Sequence, residues 1–157
     1  MAEPGYWIIV GSPENLATTR RLGFTVQGMK SRHRKKAEQM RPGDKLVYYV
    51  TGRKAFGAIA TVTSEYFEDH EIIWRSTDPK KAAEDYPFRV QIEPDILLPD
   101  GDYLPAEGVA RGMEYVRKWP AQNWTLAFQG NVHRINRHDY ELIRTALVDQ
   151  AAAAAAD

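Results

Sequence analysis

The sequence predicts an α+β domain in which a mixed, mostly antiparallel sheet curls into a β-barrel and carries a few peripheral helices. About seven short runs of apolar, aromatic and β-branched residues have the length and composition of strands. Most of these runs are separated by only a few residues. Connections that short join antiparallel neighbours, whereas parallel βαβ crossovers need a dozen or more residues.

The predicted strands begin and end near turn signals such as Pro42-Gly43 and Gly130-Asn131. They cover residues 6–10, 45–50, 55–63, 71–75, 88–94, 124–128 and 132–135. Gly57 lies inside the third run, where it is placed for a bulge or bend. Tyr48 and Tyr49 are adjacent in the second run and should face opposite sides of the sheet, so we expect only one of them to be buried.

Helices are predicted to be few. The first predicted helix begins after Ser12, which is a typical N-cap residue and is followed by Pro13, and it ends at Gly23. A basic helix is predicted at residues 31–40 and a weaker one at residues 107–118. The strongest helix covers residues 136–150, with Asn136 as its cap and apolar side chains recurring on one face.

Length and composition fit one globular domain, which we place at residues 1–148, followed by an Ala-rich tail at residues 149–157. Cysteine is absent from the sequence, which excludes a disulfide scaffold, a zinc ribbon and a cysteine nucleophile. The first apolar run follows no basic segment, and no run is long enough for a transmembrane helix. We therefore expect a cytoplasmic protein with no membrane partner.

Positive charge is concentrated in one segment of a chain whose formal net charge is zero. Residues 20–41 contain eight Lys and Arg side chains against Glu38 alone. Such a segment either presents a cationic face to an anionic partner or is a solvated helix face.

Motifs of common enzymes are missing. The sequence contains no phosphate-binding loop, no dinucleotide fingerprint, no G-x-S-x-G and no H-E-x-x-H. The four histidines are scattered, and their spacing does not indicate a metal site. We therefore expect no metal, no cofactor and no catalytic residues.

The aromatic residues favour a pocket. Tyr66 and Phe67 stand together at the predicted end of a strand, just before acidic residues, where a chain normally becomes polar. Although most aromatic side chains of a small barrel pack in its core, such a pair could form the wall of a pocket that stacks a flat ligand. Aromatic walls beside cations are typical of nucleic-acid binding.

A set of residues, in order along the chain, resembles the EVE domain family. The set consists of Tyr6-Trp7-Ile8, Glu14-Asn15, Gly28, His33, Pro42-Gly43-Asp44-Lys45-Leu46 with Tyr49, Val62-Thr63-Ser64-Glu65 with Phe67, Tyr86-Pro87-Phe88-Arg89-Val90, Trp124, Phe128, Gly130 and Asp139-Tyr140. It spans residues 6 to about 147 at compatible spacing. The resemblance implies a PUA-like fold, related to YTH and ASCH domains, and a binding module without catalysis that takes a modified base into an aromatic pocket.

The resemblance also implies roles for individual residues. Ser12 and Asn15 match positions that offer polar groups to the base edge. Gly28, Met29 and Lys30 match a loop that lies along the ligand. The remaining matches are Phe67 as an aromatic wall and His33 and Tyr49 near the pocket.

One position departs from the family pattern. Many members have Trp where this chain has Gln27, so Tyr66 or Trp74 could replace that ring, or Gln27 could bind the base edge. The basic segment supplies candidate phosphate contacts, namely Lys30, Arg32, Arg34, Lys35 and Lys36.

Two alternatives remain at this stage. The chain could be an ASCH-like enzyme that processes nucleic acid, with Lys30, Tyr49 and Thr51 meeting at the pocket floor. It could instead be a protein-interaction module whose pocket is filled by its own side chains. DNA and RNA are both open as partners.

Overall fold

The computed structural model describes residues 3–156 and confirms the α+β prediction, since one curled sheet carries most of the chain. The strands are β1 (Tyr6–Gly11), β2 (Val26–Met29), β3 (Lys45–Val50), β4 (Ala55–Val62), β5 (Phe67–Glu68), β6 (Phe88–Leu97), β7 (Leu104–Pro105) and β8 (Val132–Ile135). The helices are α1 (Pro13–Arg21), α2 (Arg34–Gln39), α3 (Glu107–Ala110) and α4 (Arg137–Ala156). Within residues 3–156, no helix combines the length and apolar character that crossing a bilayer requires.

The sheet is mixed. Its strand order is β2-β6-β4-β3-β1-β8, with β5 added beside β6 and β7 beside β4. Only β1 and β3 run parallel among these described pairs, with Tyr6 opposite Lys45. The chain between them, which includes α1 and α2, is long enough for the crossover that a parallel pair needs.

Both faces of the sheet are covered, which corrects the expectation for Tyr48 and Tyr49. Each of these side chains is only 4% exposed. They do face opposite ways, because Tyr49 packs in one apolar cluster with Ile8 while Tyr48 packs in a second cluster with Trp7. The expectation was wrong because it assumed one wet face, whereas α4 covers one side and α1 and α2 cover the other.

Several local predictions are confirmed. Tyr48 pairs with Ala58 and Tyr49 pairs with Phe56, so Gly57 is the extra residue of a β-bulge. Ser12 caps α1, since its hydroxyl accepts a hydrogen bond from the Asn15 amide at 3.1 Å.

The other predicted cap, before α4, also forms. The Asn136 side-chain oxygen accepts from the Asp139 amide at 2.9 Å. The helix continues through the Ala-rich segment to Ala156.

Two predicted strands are wrong. Residues 124–128 lie in the 3₁₀ segment Ala121–Phe128, where the buried side chains Trp124, Ala127 and Phe128 follow helical rather than alternate spacing. Residues 71–75 form no strand. The backbone N–H and C=O of Arg75 bond to the Asn15 side chain at 3.1 and 2.9 Å, so an amide takes the place of a neighbouring strand.

Other elements differ in extent. Strand β2 was not predicted, because its sequence VQGM lacks an alternating apolar pattern. The predicted helix at 31–40 divides into the 3₁₀ turn Ser31–His33 and α2, and the one at 107–118 keeps only α3 and the 3₁₀ turn Val116–Lys118.

Asn131 closes the curled sheet. Its side-chain oxygen accepts from the Lys30 amide at 2.9 Å, just past β2, and its side-chain nitrogen donates to the Val10 carbonyl at 3.0 Å, in β1. The backbone carbonyl of Asn131 also accepts from the Val10 amide at 2.8 Å. Asn131 itself immediately precedes β8, so one buried residue joins the ends of β1, β2 and β8. We call its hydrogen bonds to Lys30 and Val10 the Asn131 clasp.

We expect Asn131→Ala to lower the free energy of unfolding by about 1–3 kcal/mol, because it leaves the Lys30 amide and the Val10 carbonyl without these partners. Chemical denaturation followed by circular dichroism measures the change. Asn123→Ala is the control, since it removes the same amide group from a side chain that is exposed. Equal stability of the two variants would contradict a structural role for the clasp.

Candidate functional site

An open cavity of about 450 Å³ lies over the Asn131 clasp, within the size range of small-molecule sites. Its floor comes from the ends of β1 and β3, and its sides come from the start of α1 and from loops. The lining residues are Val10, Gly11, Ser12, Asn15, Lys30, Arg32, Tyr49, Thr51, Gly52, Lys54, Thr77, Lys81, Tyr86, Thr125, Phe128, Gln129, Gly130 and Asn131.

The cavity is cationic. Lys30, Arg32, Lys54 and Lys81 line it, and none of its lining residues is acidic. Burial lowers the pKa of the Lys30 ammonium, and the positive charges of Lys81 and Arg32 lower it further. Since these cations repel one another, an anion in the cavity would be stabilised by all of them.

Aromatic rings adjoin these cations. Tyr49 stacks on Phe128 with ring centroids 4.3 Å apart and planes at 8°. On the other side, the Lys30 ammonium lies 5.9 Å from the centre of the Tyr86 ring. Aromatic side chains and positive charge therefore lie side by side along the lining of the cavity.

One wall of the cavity is the segment of residues 69–87, which we call the wall loop. The loop contains Trp74 and Tyr86 and has no strand of its own. Besides the Asn15 contacts to Arg75, the Trp74 indole N–H donates to the Thr19 hydroxyl at 2.9 Å. Side chains of α1 thus hold the middle of the loop.

Arg89 holds the two ends of the wall loop. This guanidinium is 1% exposed and donates to the backbone carbonyls of Tyr86, at 3.1 Å, and of Glu71. It also lies 5.2 Å from the centre of the Trp74 ring. A buried guanidinium needs such partners, and here all of them belong to the loop that it positions.

Tyr86 carries backbone strain beside the cavity. Its φ of 51° is in the left-handed region, which a bulky residue rarely adopts. The conformation is held by the Glu84 carboxylate, which accepts from the Tyr86 amide at 3.1 Å, and by Arg89 at its carbonyl. Strain of this kind persists where the surroundings impose it, often at binding sites.

Gly28 makes room for Trp74. A Cβ at Gly28 would lie 2.5 Å from Cζ3 of Trp74 and 2.7 Å from the carbonyl oxygen of Tyr86. Strand β2 therefore requires glycine here for the indole to lie against its backbone.

A smaller chamber of about 20 Å³ adjoins the cavity and shares Asn15, Tyr86 and Asn131 with it. Trp74, Gln27 and Tyr48 also line this chamber. The Oε1 atom of Gln27 and the hydroxyl of Tyr48 are buried without a hydrogen-bond partner.

The structure brings together part of the predicted pocket. Ser12, Asn15, Lys30 and Tyr49 line the cavity, and Gln27 lines the chamber. Asn15 does not offer its amide to the cavity, however, because both of its side-chain polar atoms bond to Arg75.

Other predicted pocket residues lie elsewhere. Tyr66 and Phe67 do not line the cavity or the chamber; Tyr66 packs on the core and Phe67 pairs with Arg89 in the sheet. Met29 is fully buried in the core. His33 is half-buried outside the lining, where the Arg32 Nε donates to its Nε2 at 3.3 Å.

Of the predicted phosphate contacts, only Arg32 lines the cavity in addition to Lys30. Arg34 forms an ion pair with Glu38 at 3.5 Å, and the Lys36 ammonium donates to the Val132 carbonyl at 2.8 Å. Lys35 is exposed on α2. The cations that sequence reasoning missed, Lys54 and Lys81, lie in loops, and the basic turn before β4 was a signal for the first.

Two histidines beside the cationic face are neutral. Burial, and then the charge of Lys36, lowers the pKa of His33 and that of His133 to about 4. His133 Nδ1 lies 2.7 Å from the Tyr115 hydroxyl. No group of His, Asp and Glu in the described part of the chain is arranged to hold a metal ion.

Fold and site together define a small α+β domain whose cavity is lined by cationic and aromatic side chains. The chain belongs to the EVE domain family, whose model matches residues 5–146. Among curated proteins, it is 29% identical over 153 residues to the UPF0310 protein PH1033 from Pyrococcus horikoshii, covering 91% of this chain and 99% of that protein.

Solved structures with the same fold include YTH domains. The YTH domain-containing protein mmi1, solved as a complex with RNA, superposes with a TM-score of 0.65 at 9% identity, covering 92% of this chain and 82% of that one. The YTH domain of Zygosaccharomyces rouxii MRB1, solved with N6-methyladenosine RNA, gives 0.63 at 12% identity, with 94% and 88% covered. These neighbours support the PUA-like fold that the family resemblance implied.

We expect Gly28→Ala to displace Trp74 and to lower the free energy of unfolding by about 1–3 kcal/mol through overpacking. Near-ultraviolet circular dichroism and chemical denaturation measure the two effects. Gly108→Ala is the control, because a Cβ there meets no atom within 4 Å. An unchanged aromatic spectrum in Gly28→Ala would show that the indole does not lie against β2.

The depressed histidine pKa values predict acid sensitivity. Between about pH 6.5 and about pH 4, His33 and His133 are protonated in the unfolded chain but stay neutral in the folded chain. Protonation therefore favours the unfolded chain, and the free energy of unfolding falls as the pH falls through this range. We expect the Tm to fall between pH 7.5 and 5, and to fall less in His33→Gln.

His70 provides a contrast of opposite sign. Hydrogen bonds to Glu68 and Asp85 raise its pKa, so its contribution is present below about pH 6.5 and is lost as pH rises through the folded-state pKa. His70→Gln should therefore steepen the fall in Tm on acidification. Identical pH profiles for His33→Gln and His70→Gln would contradict both assignments.

Proposed function

We propose that this chain binds single-stranded nucleic acid without catalysing a reaction and that it takes one modified base into the cavity. The observation that carries the proposal is the juxtaposition of four cations with the Tyr49, Tyr86 and Phe128 rings in one open cavity. Nucleic acid combines a flat heterocycle with a nearby anion in every nucleotide, which matches this lining.

The energetics are of the right size. Taking a base out of its stack costs a few kcal/mol, and stacking on an aromatic side chain returns about 1–3 kcal/mol per base. Phosphate contacts from Lys30, Arg32, Lys54 and Lys81 add an electrostatic contribution that weakens with salt. An open volume of about 450 Å³ leaves room for one base and part of its backbone and does not favour a pocket filled by its own side chains.

The structural neighbours support the same function. Both YTH domains were solved with RNA, and one of those RNAs contains N6-methyladenosine. The cavity of this chain lies at the ends of β1 and β3, two strands of the sheet that this fold contains.

The test measures binding of the full chain to fluorescent nine-residue strands of RNA and DNA. Each strand has one central base, either plain or methylated, and affinities are compared from 50 to 300 mM salt. We expect the affinity for methylated strands to be higher by about 5- to 150-fold, in line with roughly 1–3 kcal/mol for one added methyl group in an apolar pocket. Equal affinity for plain and methylated strands would contradict modified-base recognition.

A matched pair of lysine variants tests the cavity as the binding site. Lys81 lines the cavity, whereas its neighbour Lys80 does not. We expect Lys81→Ala to weaken binding of every strand and to reduce the salt slope by about 1, the effect of losing one phosphate contact. Lys80→Ala should retain the wild-type slope; equal losses in the two variants would indicate diffuse attraction rather than this site.

An ASCH-like enzyme remains the second candidate, because Lys30, Tyr49 and Thr51 do line the same cavity. That function requires cleavage of a labelled strand during incubation with the protein. Recovery of intact strand after incubation, together with measured binding, would leave the non-catalytic proposal in place.

A further inference from the structure

Two residues that line the chamber beside the cavity carry a buried polar atom without a hydrogen-bond partner. Gln27 is 5% exposed and Tyr48 is 4% exposed, and both the Gln27 Oε1 and the Tyr48 hydroxyl lack a partner. Buried polar atoms of native proteins are usually hydrogen-bonded, so two unpaired atoms in one chamber need an explanation.

The orientation of the Gln27 amide is fixed by its other end. Its Nε2 donates to the Gly28 carbonyl at 2.8 Å, a contact that the amide oxygen could not make. Oε1 is therefore the unpaired atom of this chamber-lining side chain, and an amide oxygen only accepts hydrogen bonds.

Apart from the Tyr48 hydroxyl, which makes no hydrogen bond to Gln27, the neighbouring polar side chains of the chamber are already engaged. The Thr19 hydroxyl accepts from Trp74 and donates to the Asn15 carbonyl at 3.2 Å. Both side-chain polar atoms of Asn131 belong to the clasp. A partner for Gln27 Oε1 must therefore come from outside the protein.

The size of the chamber limits that partner. A volume of about 20 Å³ accommodates one small group, of the size of a single water molecule. Tyr49, Tyr86 and Asn131 line both the cavity and the chamber, so a planar ligand seated in the cavity could direct one substituent into the chamber.

We infer that the chamber receives the exocyclic amino group of the bound base, and that Gln27 selects amino bases such as cytosine and adenine over keto bases such as uracil and hypoxanthine. An amino N–H donates to Gln27 Oε1, whereas a keto oxygen in the same place would face another acceptor. The Tyr48 hydroxyl does not discriminate, because it both donates and accepts. This inference rests on the proposed function and specifies the class of base at the same site.

Burial raises the pKa of Tyr48, so its hydroxyl keeps its proton at neutral pH and can serve in either direction. Gln27 is thus the specificity-determining residue, and Tyr48 adapts to the group that enters. An amino group that carries one methyl still keeps one N–H, so N-methylated amino bases remain within the class.

The test uses the full chain and nine-residue oligouridine strands in which the central residue is uridine, cytidine, adenosine or inosine. Strand length and charge are the same throughout, so phosphate contacts cancel in the comparison. We expect the cytidine and adenosine strands to bind about tenfold tighter than the uridine and inosine strands, as for one hydrogen bond to a buried acceptor. In Gln27→Leu the cytidine-to-uridine ratio should fall to about 1.

Tyr48→Phe is the matched control, because it removes the other unpaired atom and keeps the ring. It should retain the amino preference and should not lower the Tm, since the hydroxyl has no partner in the free protein. If Gln27→Leu does not fold, the comparison of four strands on the wild-type protein still decides the question.

The outcomes separate this inference from the proposed function. Tight binding with equal affinity for cytidine and uridine strands would overturn amino selection and leave nucleic-acid binding intact. A lower Tm in Tyr48→Phe, with no amino preference in the wild type, would assign the chamber to an internal water molecule and would also overturn it. No binding to any strand would overturn the proposed function itself.

Discussion

The Asn131 clasp is the contact on which the site depends. A curled sheet must bring its edges together, and here the ends of β1, β2 and β8 meet at one buried amide with bonds of 2.9 and 3.0 Å. The cavity lies over this meeting point, so Asn131, which closes the sheet, also lines the cavity. Because the clasp sets the position of the Lys30 backbone, it also places the first cation of the site.

The wall loop adds the aromatic side of the site without regular structure. A loop packed against a core must still pair its backbone polar groups. Side chains from the surrounding elements, chiefly Asn15 and Arg89, provide those partners, and Gly28 provides the space for Trp74. The loop is therefore positioned by three residues that do not themselves present a free polar group to the cavity.

Sequence reasoning predicted the architecture better than the site. Turn signals, caps and the Gly57 bulge are local features, and they were predicted because local chemistry determines them. Residues 71–75 of the wall loop were predicted as a strand because Trp74 and its apolar neighbours have the composition of a strand. Asn15 occupies the place of a paired strand there, and such a contact joins residues 60 positions apart, which no local pattern contains.

The central claim is that a base sits between the clasp and the wall loop, and nuclear magnetic resonance of the ¹⁵N-labelled protein tests it most directly. During titration with a strand that binds, we expect the largest shifts at the Lys30 amide, the Asn131 side-chain amide and the Trp74 indole. Shifts confined instead to the hollow lined by Trp119 and Trp124, with these three signals unmoved, would contradict the claim.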